Sequence, residues 1–399
     1  MNKKIIFGIV LIALISSIGT IVGLAFALNF DGKTAGNLTR LIGAMRFIES
    51  QYVQEVDEDK LIDGAISGMV RSLGDPHSIY LEPKLYNQLK AETSGSFGGI
   101  GVYMGFKDNS VFVMGVMPDS PGEKVGLQAG DFILAVNSQP ISEIEPGEVA
   151  LKIRGEVGTP VELLIHREGE EDKIYTILRE IINVKTVAGK MLDDREGYIR
   201  ISNFSEHTGK EFKSTLNELE QQGMKGFILD LRQNPGGVIT SCVEVAQEIV
   251  PAGTIVSVIR RDGEKEIYTS NLQQAKFPIV VLIDKNSASA SELLSGALQD
   301  TKAALIVGEK SYGKGSVQTV IPMFQDDGLK LTIAKYYTPL GRSIDGTGIA
   351  PDVEVALETP LPMTREINTN IWEDAQLRTA EELLAKQLDS GKILFDNES

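Results

Sequence analysis

Ser287-Ala288-Ser289-Ala290-Ser291-Glu292, followed by Gly313-Lys314-Gly315-Ser316-Val317-Gln318, holds the residue types most capable of chemistry in this chain. The first run lies between an apolar, strand-like stretch, Ile279 to Ile283, and a helix-like one, Glu292 to Leu298. A turn of this kind presents a hydroxyl at a helix N-terminus, where backbone N–H groups and the dipole favour developing negative charge. A lysine serves as general base when burial lowers its pKa from about 10.4 towards ~7–8. Serine with lysine is one variant of the activated-serine arrangement. The same residues admit a plainer reading, in which the serines cap a helix and the glycines only turn the chain.

Two other chemistries fail on these residues. Gly308-x-x-x-x-Gly313-Lys314 begins like a phosphate-binding loop, but Gly315 stands where a Ser or Thr would hold magnesium. The β-branched run Ser316 to Phe324, broken by Pro322, supplies no helix to receive a phosphate. A Ser-His-Asp enzyme needs a histidine, and the chain has only His77, His166 and His207, none in a distinctive turn. Their spacing does not suit a metal either. No metal or cofactor is expected.

Three strings carry a family resemblance: Asp230-Leu231-Arg232-Gln233-Asn234-Pro235-Gly236-Gly237, then Asn286-Ser287-Ala288-Ser289-Ala290-Ser291-Glu292-Leu293, then Gly308 to Gln318. Their types and order resemble the carboxyl-terminal processing proteases, also called tail-specific proteases, over nearly everything after the N-terminal segment. The resemblance implies Ser289 as nucleophile, Lys314 as general base and Gln318 as the residue that orients the lysine. It also implies a PDZ-like region ahead of the catalytic core.

These implied roles make chemical sense. A serine hydroxyl is a weak nucleophile and needs a partner to accept its proton, which a neutral amine can do and then return. A glutamine amide oxygen can hold the lysine N–H and fix the direction of its lone pair. The turn Asn234-Pro235-Gly236-Gly237 leaves backbone amides near a strand end. With the amide of Ala290, an N–H from Gly236 or Gly237 would form an oxyanion hole, typically worth about 3–4 kcal/mol. An ordinary tight turn explains the two glycines equally well.

The elements that must position these groups follow from composition and periodicity. With 399 residues and 42% hydrophobic content, the chain can bury a sizeable core in two or three domains. A net charge of −16 argues against nucleic acid as partner. The single Cys242, in an apolar helical stretch, reads as a small buried residue. Lys3 and Lys4 precede an uncharged apolar run, Ile5 to Leu28, long enough for a bilayer's helical span of roughly 20 residues. The flanking charges orient the bulk of the chain away from the cytoplasm, periplasmic or extracellular. Ala25-Phe26-Ala27 would also suit signal cleavage and a secreted product, but the run exceeds the usual ~7–15-residue signal core, which favours an uncleaved anchor.

Behind this segment, apolar residues at Leu38, Leu41, Ile42, Met45 and Ile48 predict a helix over Leu38 to Tyr52, and a second runs from Lys60 to Leu73. The resemblance implies that such an arm can serve homodimerisation, and a simple packing helix fits the sequence equally well. From about Ser94 short strands take over: Gly99 to Met104, Val111 to Val116, Asp131 to Val136, Val161 to His166 and Lys173 to Leu178. Ser120 to Asp131 resembles the helix-then-strand signature of a PDZ domain, with Gly98-Gly99-Ile100-Gly101 as the loop whose amides capture a peptide carboxylate. Arg154 ends a helix-like stretch from Gly147 and is a candidate gating contact with the core or a bound peptide; a cation favoured at a helix C-terminus is the alternative. From about Val184, strands Lys225 to Arg232, Pro278 to Asp284 and Ala304 to Gly308 alternate with helices Val238 to Val250 and Glu292 to Leu298. Leu329 to Tyr337 reads as a strand and Trp372 to Leu388 as a closing helix. Asp300, just past the serine-bearing helix, reads either as a local turn stabiliser or as a solvated acid.

The expected architecture is a multidomain α/β chain: a membrane anchor or signal over 1–30, a helical arm over 31–93, a PDZ-like β-rich domain over 94–183, a mixed α/β serine protease core over 184–357 and a helical segment over 358–399. The expected activity is serine endoproteolysis near the C-termini of protein substrates. A non-catalytic peptide-binding scaffold is the rival of different class, and an amidase or esterase on the same serine is the enzymatic one.

Overall fold

The computed structural model describes residues 32–107, 110–324, 326–357 and 374–391. The expected anchor, Ile5 to Leu28, lies outside them, as does Trp372. Among the described residues no helix is long and apolar enough to cross a membrane. The chain divides into two compact units, residues 1–80 and 81–399.

In the first unit, α1 (Gly32–Gln51) and α2 (Glu58–Arg71) form where periodicity predicts them, each starting a few residues earlier. The Asp57 carboxylate accepts the amides of Asp59 and Lys60 and so starts α2. Helix α1 buries none of its residues, and Leu38, Leu41, Ile42 and Ile48 all stay exposed. Spacing dictates the helix; it does not supply a partner for its apolar stripe.

The second unit begins with α3 (Pro83–Ser94), stopped by Gly95 at φ 69°. Next come β1 (Ser96–Gly99), β2 (Val102–Lys107), β3 (Ser110–Val116) and β4 (Phe132–Val136), then α4 (Pro146–Ile153). Three more strands, β5 (Pro160–His166), β6 (Lys173–Leu178) and β7 (Glu180–Asn183), complete the region. The order β2-β3-β4-β5-β6 makes an antiparallel sheet in which β2 is an edge, while β1 pairs with β7 in a separate ribbon. Alternation explains the inner face: Val161, Leu163 and Ile165 are buried while Glu162 and His166 are exposed. The strand expected over Gly99 to Met104 is broken at Ile100-Gly101. There Gly101 turns at φ 71°, and a Cβ on it would meet the Ser120 side chain at 2.3 Å. A one-turn helix, Pro121–Lys124, follows Ser120, whose hydroxyl accepts the Glu123 amide.

The core is a six-stranded sheet of β8 (Val187–Met191), β9 (Glu196–Ile201), β10 (Gly226–Asp230), β13 (Ile279–Ile283), β14 (Leu305–Gly308) and β17 (Val353–Glu354), in that order. β8 pairs antiparallel with β9 and the rest run parallel. Every residue of β9, β10, β13 and β14 is buried because helices cover both faces. On one face α5 (Thr208–Gln221), α6 (Ile239–Ile249) and α7 (Ala290–Asp300) pack on Ile199, Phe227, Leu229 and Val281. On the other, α8 (Ala375–Ser390) lays Leu377, Ala380 and Leu384 on Tyr198, Ile228, Val280 and Leu282. Arg232 pins α8: it pairs with Asp230 at 2.7 Å and with Asp374, the helix's capping residue, at 2.8 Å.

A second sheet runs β12 (Lys265–Ser270), β11 (Gly253–Arg260), β16 (Gly328–Tyr337), β15 (Ser316–Pro322). Sequence periodicity predicts β10, β13, β14 and β16 but passes over β8, β9, α5 and the β11–β12 hairpin. Parallel strands buried on both faces show apolar runs, whereas Glu196-Gly-Tyr-Ile-Arg-Ile alternates charge with apolar residues and still lies inside.

Candidate active site

The parallel arrangement brings the carboxyl ends of β10 and β13 together, and the loops after them build the site. Strand β13 runs into Asp284, and the turn is fixed before the serine is reached. Asp284 accepts the amides of Gln233 and Asn286 at 3.0 Å each, and Ser287 donates to Leu231 O at 2.8 Å. Ser291 donates to Asn234 O at 3.0 Å, so Ser287 and Ser291 both tie the turn to the β10 loop. Ser289, between them, is buried and stands at φ 55°, the left-handed region that a non-glycine residue rarely adopts. It precedes the first residue of α7, which places its hydroxyl at the positive end of a buried helix.

The Ser289 hydroxyl lies 3.0 Å from the Tyr336 hydroxyl. Burial pushes the Tyr336 phenol up to about 12, so it stays a neutral hydrogen-bonding group at ordinary pH. Nothing local in the sequence marks this tyrosine; β16 carries it in from 47 residues away.

Glu292, also buried, gathers the two halves of the site. Its Oε2 accepts the backbone N–H of Ser289 at 2.8 Å and of Lys314 at 2.8 Å. Its Oε1 accepts the N–H of Gly313 at 2.6 Å and the Ser311 hydroxyl at 2.5 Å. One carboxylate thereby fixes the serine turn against the lysine loop. Sequence reasoning places Glu292 in the motif without a role; a carboxylate three residues into a helix is the available signal. Gly315 lets the loop after β16 lie against the lysine loop, since a Cβ there would stand 2.3 Å from the Asp345 amide nitrogen. Gln318, on β15, donates its amide to Ser316 Oγ at 2.8 Å and Thr332 Oγ1 at 3.3 Å, leaving its carbonyl as the acceptor end.

Gly236 packs directly on the serine: a Cβ there would stand 2.7 Å from Ser289 Cβ and 2.9 Å from the Ala290 nitrogen. Its N–H is donated to Asn234 Oδ1 at 2.9 Å. Gly237, at φ 144°, presses on Phe204, whose carbonyl oxygen would lie 2.0 Å from any Cβ. Ser289, Lys314, Gln318, Gly236, Gly237 and Tyr336 all line one cleft of roughly 960 Å³. None of the three histidines lines it. Among the described residues no cluster of three or more His, Cys, Asp or Glu could hold a metal. Cys242, beneath α7, is buried, and burial pushes its thiol up to about 12.

The cleft extends to the antiparallel domain, since Phe97 and Arg154 also line it. The Arg154 guanidinium stacks over the Phe97 ring at 4.0 Å. Its backbone ends α4, whose last carbonyls are met by another arginine: Arg179 donates to Ile153 O at 2.8 Å and Lys152 O at 3.0 Å. Gly98 and Gly99 lie in β1, and Gly98 O accepts the Gly155 amide at 3.0 Å. Ile100 is buried and its carbonyl accepts the Gly122 amide, which ties the glycine-rich loop to the one-turn helix. Asp300 is no solvated acid: its side chain, shielded from solvent, pairs with Arg342 and accepts the Leu340 amide, holding the turn after β16.

The family descriptions matched are peptidase family S41 over residues 195–355, a PDZ domain over 112–167, and the activating protease CtpB N-terminal domain over 27–84. A carboxy-terminal-processing protease of Bartonella bacilliformis is 37% identical over 370 residues, spanning 91% of this chain and 84% of that protein. The carboxy-terminal processing protease CtpB of Bacillus subtilis is 37% identical over 331 residues, spanning 82% of this chain and 69% of that protein. The solved photosystem II D1 C-terminal processing protease aligns at 28% identity with a TM-score of 0.47, covering 80% of this chain and 92% of that one. With its S41 core and its PDZ domain, the chain belongs to the carboxy-terminal processing proteases, and is a serine-type peptidase of that family.

Proposed function

We propose that the chain cuts protein substrates near their C-termini by serine–lysine chemistry, under the control of its PDZ domain. The observation that carries the reading is the Glu292 carboxylate, which holds the backbone of Ser289 and of Lys314 within one cleft. In this mechanism Lys314, as a neutral amine, takes the Ser289 proton while Oγ attacks the scissile carbonyl. The same proton then passes to the leaving amine as the acyl-enzyme forms, and water repeats the cycle to release the product. Gln318 orients the amine through its free carbonyl end. The N–H groups of Ala290 and Gly237 receive the developing oxyanion, since the Gly236 N–H is already given to Asn234.

Recognition is assigned to the antiparallel domain. The edge of β2 accepts the substrate tail as an added strand, and the amides of Gly98, Gly99, Ile100 and Gly101 take its terminal carboxylate. Arg154, stacked on Phe97 within the cleft, carries tail occupancy to the site. A soluble chain from Asp31 onward, incubated with unfolded proteins differing only at their C-termini, tests the function. Cleavage that follows the tail supports it, and indifference to the tail opposes it. For gating, a separate tail peptide should accelerate cleavage of a second substrate; simple competition would leave only tethering.

The remaining assignments rest on the N-terminal part of the sequence. Ile5 to Leu28 behind Lys3 and Lys4 anchors the chain, with the catalytic part outside the cytoplasm, which protease accessibility of intact cells tests. The exposed stripe of α1 pairs with a second copy, so substituting Leu41 and Ile48 by Glu should turn a dimer into a monomer in sedimentation.

A further inference from the structure

Arg200 lies inside the same cleft and belongs to none of the machinery above. It sits on β9, opposite Asp230 in the parallel register, and only 7% of it is exposed. The neighbouring carboxylate is already taken. Asp230 accepts Arg232 through Nε and Nη2 and the Tyr198 hydroxyl at 2.5 Å, so Arg200 gains its field but no hydrogen bond. Among the described residues no acceptor meets the buried Nε of Arg200, and no carboxylate pairs with its guanidinium.

A buried guanidinium with open donors is costly unless something supplies acceptors, and its planar fork suits a carboxylate. The surroundings have the matching sign. Apart from Lys314, which the mechanism requires as a neutral amine, the cleft is lined by three basic residues, Arg154, Arg200 and Lys330, and by one acid, Glu92, in a chain of net charge −16.

We propose that Arg200 is a specificity site for a carboxylate on the substrate, within a few residues of the scissile bond. This rests on the peptidase reading and adds to it a second recognition point, separate from the PDZ loop. Two sources share the chemistry: an acidic side chain, or the free C-terminus of a substrate cut close to its end.

The test compares matched peptides on the full-length protein. One set, all C-terminally amidated, places Glu or Gln at successive positions on each side of the scissile bond. A second set compares free acid with amide on the neutral sequence. Both kcat/KM and binding are measured for wild type, Arg200→Gln and Arg200→Lys. One carboxylate placement should be preferred over its neutral twin by about tenfold or more, as for a hydrogen-bonded charge. That ratio should fall to near one in Arg200→Gln and be only partly kept in Arg200→Lys, which retains charge without the fork. Preference among the amidated peptides assigns a side-chain carboxylate; preference confined to the free acid assigns the terminus. The lysine variant keeps the charge beside Asp230 and serves the same comparison if the glutamine variant fails to fold. A wild type without carboxylate preference at any placement overturns the inference. So does a preference that survives both substitutions, which would belong to the PDZ loop. Carboxylate-dependent binding lost with Arg200, in a protein that cleaves nothing, would sink the peptidase reading and keep the site.

Discussion

Around Ser289 the polar groups are committed to one another; along the outer edge of β2, among the described residues, a strand's backbone is left unpaired. The serine turn is held by Glu292, Ser287, Ser291 and Asp284, each buried, over a sheet covered on both faces. The PDZ domain keeps its apolar core inside but leaves Tyr103 and Phe106 of β2 exposed. Attack on a carbonyl needs donors fixed before the substrate arrives, whereas recognition of varied tails needs a surface that completes itself on binding. The seam between the two is built from glycines and arginines. A Cβ at Gly98 would stand 2.0 Å from Gly155 O, and Arg154 reaches from the end of α4 into the cleft.

The sharpest way to separate the regions is to remove the proposed base. Lys314→Ala should lower kcat by about 10²–10⁴-fold while tail binding to the PDZ domain, measured by calorimetry, stays intact. Lys314→Arg should be equally inactive, because a guanidinium does not surrender its proton. Since the amine must be neutral, activity should rise with pH; an active arginine variant would break the distinction.

Glu292→Gln strikes the rigidity of the site rather than its chemistry. The amide turns an NH2 group toward donors that now share a carboxylate, leaving at least one unmet. Activity should fall about 10²-fold through misplacement of Ser289 and Lys314. Stability should fall by about 1–3 kcal/mol in denaturant titration. Tail binding should not change.

The smallest expected effect is an opposite response to pH. In the core, burial with Asp193 and Glu381 nearby pushes the Glu196 carboxyl up to about 7. The folded state therefore binds this proton more tightly than the unfolded one. Its contribution is complete below the ordinary glutamate range and is lost as pH rises through about 7. In the PDZ domain, burial opposes the charge of Asp131. Bonds from Arg167 and the Gln128 amide more than offset it, holding the carboxyl below its usual value. That contribution is present above the ordinary aspartate range and lost as pH falls through the lowered value. Hydrogen exchange, corrected for intrinsic rates, should show β9 losing protection towards alkaline pH and β5 towards acid. Glu196→Gln and Asp131→Asn should each flatten one trend.

Legibility followed the same division. The serine turn, the glycine-framed lysine and the strands of the parallel sheet can be read locally, because small residues, glycines and apolar runs act within a few positions. Tyr336 and Arg200 could not, since each enters the cleft on a strand far in sequence from Ser289. Strand β9 escaped because Glu196, Tyr198 and Arg200 look like a solvated face. All three are buried: Tyr198 lies under α8 and bonds Asp230, and Arg200 lines the cleft.

The most direct measurement is the rate of peptide cleavage by Ser289→Ala, with circular dichroism and tail binding confirming that fold and recognition are unchanged. Turnover should fall by about 10³-fold or more, with Ser287→Ala and Ser291→Ala retaining cleavage. Substantial turnover by Ser289→Ala would contradict the assignment of Ser289 as nucleophile.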